Sequence, residues 1–546
     1  MRSLAEARRP PAWWPLALAL VVPAAAGSIA LLESFDGLYG QDPFAYFGYA
    51  TGAMRQSLLH LHGPPPFFWP PAYPFVVAVV SLAVGPVPLA GQLVSLAAGA
   101  LVPVFTALLA REIWSPPERE SRDRSGWVAF AGVPVIAGVL VACTGQLWQS
   151  SVVVMADTLG LAAATAGAWA LACYGRRRDL SWLLLAAGLL AAATVTRWIY
   201  GVVAAPFAVY ALLVACRQQR ATALAHLGLA ASVAAAVLAP VTVVALRDVV
   251  GSDGAHAAFA GDFGVYGGWS PLRAFHREFT TADGTLSYAL PTGLYYAVAP
   301  ARWAFLTPLL APLIVPGAWA VIRRASAAPV LLLLGWAGAV YAFHAGAAYQ
   351  NFRFTLAYLP PLAILAAIGL HEVARWLGAV STRRAYAVAG LAAVFAVGLA
   401  AMAADGVHST RNLIAQKNDG LAIVRWTEAR VPEDARLITF NLTSTFRRYS
   451  RLQTSELYEQ EPTRLTVLVA SRPAVFLLVD VSSVEGQWRR RSPGRAFRWL
   501  ERNPGLTPIG AHGGFTLFRV ATPARRAGHE RRAAAARSER RPAAAP

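Results

Sequence analysis

Residues 35–74 read FDGLYGQDPFAYFGYATGAMRQSLLHLHGPPPFFWPPAYP, a polar, aromatic, proline-punctuated stretch set between apolar sequences. Upstream, the run from about Trp13 to Leu32 has the length of a bilayer span. Downstream, Phe75–Val84 is apolar but too short to cross and is closed by Gly85-Pro86, so it reads as a juxtamembrane helix; Pro88–Ala110 is the next span. The region 33–87 is therefore a loop held against one membrane face. It carries the acids, histidines and tyrosines that a reaction would use.

The rest of the chain fits that frame. Of its 546 residues 56% are hydrophobic and only 14% charged, more apolar side chain than soluble domains bury. The fold class this implies is a polytopic α-helical membrane protein with a small C-terminal α/β domain. Further spans are expected at 127–145, 153–174, 181–199, 201–216, 222–245, 303–322, 328–346, 355–370 and 385–403, which makes about eleven. The formal net charge is +19, nearly all from arginine. Arg111, Arg119, Arg122 and Arg124, then Arg176–Arg178, Arg217 with Arg220, Arg323 with Arg324, and Arg375 with Arg383 and Arg384 lie in short clusters between apolar runs. That is the pattern of cytoplasmic loops, not of a nucleic-acid groove. In this register residues 1–11 are cytoplasmic, and the odd span count places the C-terminal part on the opposite side.

Three segments then face outward: 33–87, 246–302 and everything after 403. The second is rich in Gly, Asp, Tyr and Trp, and reads as a lid over a cleft. In 404–522 the composition changes: RLITF, RLTVLVA and AVFLLVD look like strands and DGLAIVRWTEAR like a helix, an α/β domain without a readable catalytic constellation. The Arg/Ala/Pro-rich tail 523–546 is expected to be disordered. Cys143, Cys173 and Cys216 fall in or beside apolar runs without ligand spacing and read as buried small residues.

Within the opening loop, Asp42-Pro43 has the form of a helix start, with Asp42 as cap. It also stands among Tyr39, Tyr46, Tyr49, Trp69 and Tyr73, residues that stack on sugars and sit at headgroup depth. A carboxylate there could reach an acceptor proton. Asp36, followed by Gly37, is the second acid, with turn formation as its alternative role.

Asp42-x-x-x-Tyr46-x-x-x-Ala50, the PPAYP of 70–74 and the RFTLAYLPPLAILAAIGL of 353–370 together resemble the GT-C superfamily of polyprenyl-phosphate-sugar glycosyltransferases, the group of the protein O-mannosyltransferases and the lipid A aminoarabinose transferases. The resemblance covers the membrane part, 12–403. It implies that Asp42 is the catalytic aspartate at the start of the first outside loop. It also implies a polyprenyl-phosphate-linked sugar donor drawn from membrane lipid, an acceptor glycan, lipid or protein, and no nucleic acid. Where some members carry a basic residue before the paired prolines, this chain has Trp69. The resemblance assigns no fixed cofactor; a divalent metal assisting Asp42 occurs in some members.

Asp157, at the outer start of a span, is a second acid or substrate contact, or else an interfacial aspartate that snorkels. Arg353 in YQNFRF and Arg197 in VTRWIYG lie near the outer face. Either could grip a phosphate through two oxygens or anchor headgroups. His62, with His60, could touch the same phosphate. Tyr46, Trp69 and Tyr73 are expected to contact substrate. No Gly-rich nucleotide motif occurs, which fits a donor already carried on lipid. A lipid-linked glycan ligase or polymerase, or a flippase, handles the same carrier and is the competing reading. Inverted repeats of the transporter kind are not visible.

Overall fold

The computed structural model describes residues 13–114, 127–250, 268–324, 326–381, 383–472 and 474–521. The expectations for residues 1–11, for the tail 523–546 and for part of the lid segment, 251–267, lie outside them. The chain divides into two compact units, one of Met1–Leu38, Asp42–Arg277 and Tyr288–Ile414, the other of Tyr39–Gln41, Glu278–Ser287 and Ala415–Pro546.

The first unit is helical. Its apolar run Trp14–Leu32 forms α1, broken only by a π-turn at Pro23–Gly27 where proline removes a donor. Asp42–Tyr49 is α2, and the juxtamembrane segment is α3, Ala72–Val84, which begins just after the paired prolines. Pro88–Ile113 is α4, Asp157–Arg177 is α5, Leu180–Thr194 is α6 and Ile199–Ala215 is α7. Among the described residues seven helices are long and apolar enough to cross a bilayer, eight if Gly132–Ala142 and Gly145–Val152, bent by 57°, count as one. The spans expected at 181–199 and 201–216 are the shorter α6 and α7.

One expected span is corrected. Residues 303–322 are not a single helix: Thr307–Leu310 and a 3-10 turn at Ala311–Leu313 precede α8, Ile314–Arg324. Pro308, Pro312 and Pro316 each remove a donor in succession, so an uninterrupted ladder cannot form there. The helix expected at 355–370 is α9, Leu359–Val380, entered through a 3-10 turn at Phe352–Tyr358. Gly317 of α8 and Gly369 of α9 lie at the crossing of these helices, where a Cβ on either would meet the facing backbone; small residues let helices approach this closely in lipid. In its apolar window, the stretch from Phe352 through α9 is 83% buried against 11% for Arg220–Val243, which separates bundle centre from lipid-facing rim. The last helix, α10, runs from Arg384 to Glu428, so it does not stop at the expected boundary of 403.

The second unit holds a hairpin, β1 (Glu278–Thr281) with β2 (Gly284–Ser287), and a mixed five-stranded sheet. Its strands are β3 (Arg436–Thr439), β4 (Gln453–Glu456), β5 (Val475–Val479), β6 (Leu506–His512) and β7 (Phe515–Val520), in the order β4-β3-β5-β7-β6. The first three are parallel and β7 runs antiparallel to β5 and β6. Every residue of β5 is buried, the signature of a central strand covered on both faces. Val475, Leu477 and Val479 enter one core; Phe476 and Leu478 enter the other. RLTVLVA, read as a strand, is instead α11, Pro462–Ala470: Pro462 starts it, and Leu465 and Val469, four apart, are its buried residues.

Candidate active site

Polar residues on α4 fix the loop and the start of α5. Gln92 Nε2 donates to Phe35 O at 2.9 Å and to Val152 O at 3.1 Å, while Val154 N donates to Gly37 O at 3.0 Å. Gly37 has φ +81, and a Cβ there would stand 2.6 Å from Gln92 Cγ, so the turn needs glycine. Asp36 accepts from Leu38 N at 3.1 Å inside that turn. One turn along α4, Ser95 Oγ shares a 2.9 Å hydrogen bond with the Tyr73 hydroxyl and donates to Met155 O at 3.3 Å, and Thr158 Oγ1 donates to Ser95 O at 3.0 Å. These bonds set the bend before α5, whose first residue is Asp157, at the end where the helix dipole favours an anion.

Arg353 arrives from the other end of the chain. Tyr296 donates to Tyr349 O at 3.0 Å and accepts from Asn351 N at 3.2 Å. Asn351 Oδ1 in turn accepts from Arg353 N at 3.0 Å and caps the 3-10 turn. Thus positioned, Arg353 bridges two acids: its Nη2 donates to Asp42 Oδ2 at 3.1 Å, and its Nε lies 3.6 Å from Asp157 Oδ2. Nη1 rests against Met155 Sδ at 2.7 Å. Arg197, in the break between α6 and α7, donates through Nη2 to Asp157 Oδ1 at 2.5 Å. Both guanidinium groups also lie over the Phe354 ring, at 5.7 Å for Arg197 and 5.5 Å for Arg353.

The result is a four-residue charge cluster with formal charges that sum to zero. Asp157 is 6% exposed, so it is no snorkelling side chain; it is a buried carboxylate held by two arginines. Asp42 is the more open acid, with 34% of its side chain exposed. A cavity of about 40 Å³ lies against the cluster, lined by Asp157, Arg197, Tyr200, His344, Arg353 and Phe354, with room for water and not for a sugar. His344 is buried, its ring stacked on Tyr296 and Phe354, and neither ring nitrogen has a hydrogen-bond partner. Asp157 Oδ2 and Arg353 Nε share that condition beside the same cavity.

Next to Asp42, α2 carries an aromatic cluster. Tyr46 stacks on Trp69 at 4.9 Å and meets Tyr73 and Phe67 edge-on at 5.4 Å and 5.7 Å. Tyr49 stacks on Phe67 at 4.1 Å and donates to Pro65 O at 2.6 Å; burial pushes its phenol up to about 12, so it stays a donor. Tyr46 and Tyr73 are buried, whereas Trp69 keeps part of its surface open. Tyr73 is thus a packing residue whose hydroxyl is engaged by Ser95 and Gly91. His62 is exposed on the loop, bonded to Gly63 O at 3.1 Å and stacked on His60, without contact to the arginines.

The sequence brought out Asp42, Asp157, Arg197 and Arg353 singly, but not that Arg353 joins the acids. His344 and Tyr200 were missed, since each looks like one more ring in an apolar helix, and Phe354 because nothing in the sequence marks the ring beside Arg353 as its partner. Among the described residues no three His, Cys, Asp or Glu side chains gather as for a metal. The two carboxylates here are both engaged by arginine, a poor match to the oxygen shell a divalent ion takes.

The fold of this chain, a helical bundle followed by a small sheet domain, is shared with solved structures of two kinds. The particular likeness is to ArnT from Cupriavidus metallidurans. With the form bound to undecaprenyl phosphate the chain is 13% identical, over 92% of this chain and 97% of that one, at a TM-score of 0.55; with the apo form it is 12% identical over the same shares, at 0.57. The oligosaccharyltransferase of Archaeoglobus fulgidus, solved in complex with Zn and sulfate, is 12% identical over 94% of this chain and 73% of that one, at 0.51. No protein-family model and no curated protein matches the sequence. At these identities the shared property is the fold.

Proposed function

We propose that this chain is a membrane glycosyltransferase that moves a sugar from a polyprenyl-phosphate donor to an acceptor hydroxyl at the outer membrane face, with inversion. The observation that carries this reading is Arg353, which bridges Asp42 and Asp157 beside the aromatic loop. The likeness to a fold that, in ArnT, binds undecaprenyl phosphate supports it. The arginine clusters of the sequence support a cytoplasmic N-terminus and an outward-facing C-terminal unit in a bacterial inner membrane.

Arg353 and Arg197 hold the donor phosphate, which carries one negative charge while esterified to the sugar and gains a second as it leaves. Guanidinium groups in a site shielded from water stabilise that gain. The acceptor oxygen attacks the anomeric carbon from the face opposite the phosphate, the carbon–phosphate-oxygen bond breaks, and Asp42 takes the acceptor proton. Paired with Arg353, Asp42 is a weakened base. A phosphate that recruits Arg353 releases it, so donor arrival prepares the acceptor step. Asp157 retains both arginines in place throughout. Trp69 offers a ring face to the sugar.

The test is to incubate the purified protein with radiolabelled polyprenyl-phosphate sugars and an acceptor-rich membrane extract, and to follow release of the lipid phosphate. Turnover by the wild type that falls by about 10²-fold or more in Asp42→Asn supports the reading. An Asp42→Asn protein that is membrane-inserted and transfers sugar at the normal rate refutes the base; absence of turnover with every donor favours a ligase or flippase.

A further inference from the structure

We propose that the C-terminal unit carries an anion site of its own, for a phosphate-bearing sugar or headgroup, in the cavity where β3 begins and α11 ends. This inference stands apart from the transfer reaction. The cavity measures about 490 Å³ and is lined by Arg436, Arg464 and Arg472, the hydroxyl residues Thr463 and Ser471, and the apolar Val467 and Leu468. That is the size range of small-molecule sites, well beyond a bare ion.

Arg436 opens β3 and is held firmly. Its backbone N donates to Ala474 O at 3.0 Å, its Nε to Ser455 Oγ at 2.8 Å, and its Nη1 to Gln453 Oε1 at 3.4 Å. All these partners are neutral, so its charge is uncompensated. Among the described residues no carboxylate lies within ion-pair distance of Arg436, Arg464 or Arg472. Burial, then the like charges of Arg472 and Arg447, lowers the proton affinity of Arg436.

An arginine-rich surface alone does not account for this. The C-terminal end of a helix favours a nearby cation, which covers Arg472 after α11, but Arg464 sits in the first turn, where the helix dipole opposes it. Three arginines and two hydroxyl residues lining one hollow supply the donors that phosphate recognition uses, which arginine makes through paired N–H groups.

The experiment uses the full chain in detergent and calorimetric titration with glucose 1-phosphate, with glucose as control. Saturable binding of the phosphate and none of glucose is expected. Arg436→Gln and Arg472→Gln should each weaken it by about tenfold or more, as for loss of a hydrogen bond to a charged group. Arg451→Gln, which removes one exposed charge elsewhere in the unit, should leave it unchanged, and the titration is run in an Arg353→Gln background so that any binding at the transfer site is removed from the readout. Should Arg436→Gln disturb the sheet, Arg464→Gln on the exposed side of α11 serves in its place. Equal weakening by Arg451→Gln, loss of binding with Arg353→Gln alone, or equal binding of glucose overturns the proposal. In nanodiscs, competition by phosphatidylglycerol over phosphatidylcholine identifies a lipid headgroup as the ligand source; lack of competition identifies a soluble phosphorylated sugar.

Discussion

If Asp42 and a donor phosphate compete for Arg353, then Asp42→Asn should tighten donor binding while it abolishes transfer. The ion pair measures 3.1 Å between Arg353 Nη2 and Asp42 Oδ2, with 21% and 34% of the two side chains exposed. Such partly solvated pairs contribute about 1 kcal/mol after screening, so neutralising Asp42 should lower the Kd for undecaprenyl phosphate roughly fivefold. Asparagine keeps the size of the side chain, and Asp157 still holds the guanidinium, so Arg353 stays in place. Binding is measured by titrating labelled undecaprenyl phosphate into protein in nanodiscs, at two salt concentrations, because the advantage of the variant should shrink as salt screens the wild-type pair. A Kd that is unchanged or higher in the variant refutes the competition and leaves Asp42 with no part in a donor-triggered step.

Arg353→Lys retains the charge and loses the fork, and should raise the donor Kd by about tenfold in the same titration. Gly160→Ala places a methyl 2.7 Å from the Tyr200 ring and against Arg197; it should lower stability by about 1–3 kcal/mol in a denaturant or thermal assay. Tyr73→Phe removes the buried hydroxyl bonded to Ser95 and Gly91, costing on the order of 1 kcal/mol of stability with the donor KM unchanged, whereas Trp69→Ala should raise that KM. Burial raises the pKa of Glu456 in the second unit above the usual carboxylate range. An acid raised in the folded state contributes least where the unfolded chain has already lost its proton. Wild-type stability should therefore fall as pH rises from the ordinary glutamate pKa through the raised one. Glu456→Gln should melt higher than wild type at neutral pH, with the difference vanishing below about pH 4.

The fold was legible because a bilayer imposes length and composition on any segment that crosses it, and apolar runs separated by arginines satisfy both. Its errors were local: three prolines between 308 and 316 break a span that hydropathy alone would leave whole, and RLTVLVA has an apolar pattern that suits either period until Pro462 decides for the helix. The acids and arginines of the site stood out as charges in apolar surroundings. Which of them touch was beyond reach, because Asp42 and Arg353 are 311 residues apart and no local rule pairs them. Tyr73 misled for the opposite reason. Its place in an aromatic loop resembles a sugar platform, while its hydroxyl has a partner, Ser95, that only the packing of α3 on α4 brings near.

The order in which the cluster's members leave the ribosome has a consequence for how the protein enters the membrane. Asp157 opens α5 and Arg197 lies in the break after α6, so the two can insert early as a neutral couple, which spares each the cost of an isolated charge in hydrocarbon. Asp42 emerges first and waits longest, for its partner is made only when two thirds of the chain is already synthesised. A nascent chain that stalls before Arg353 would thus hold a stable half-site and an unclaimed carboxylate at the bilayer surface, a state that quality control could distinguish from the finished protein.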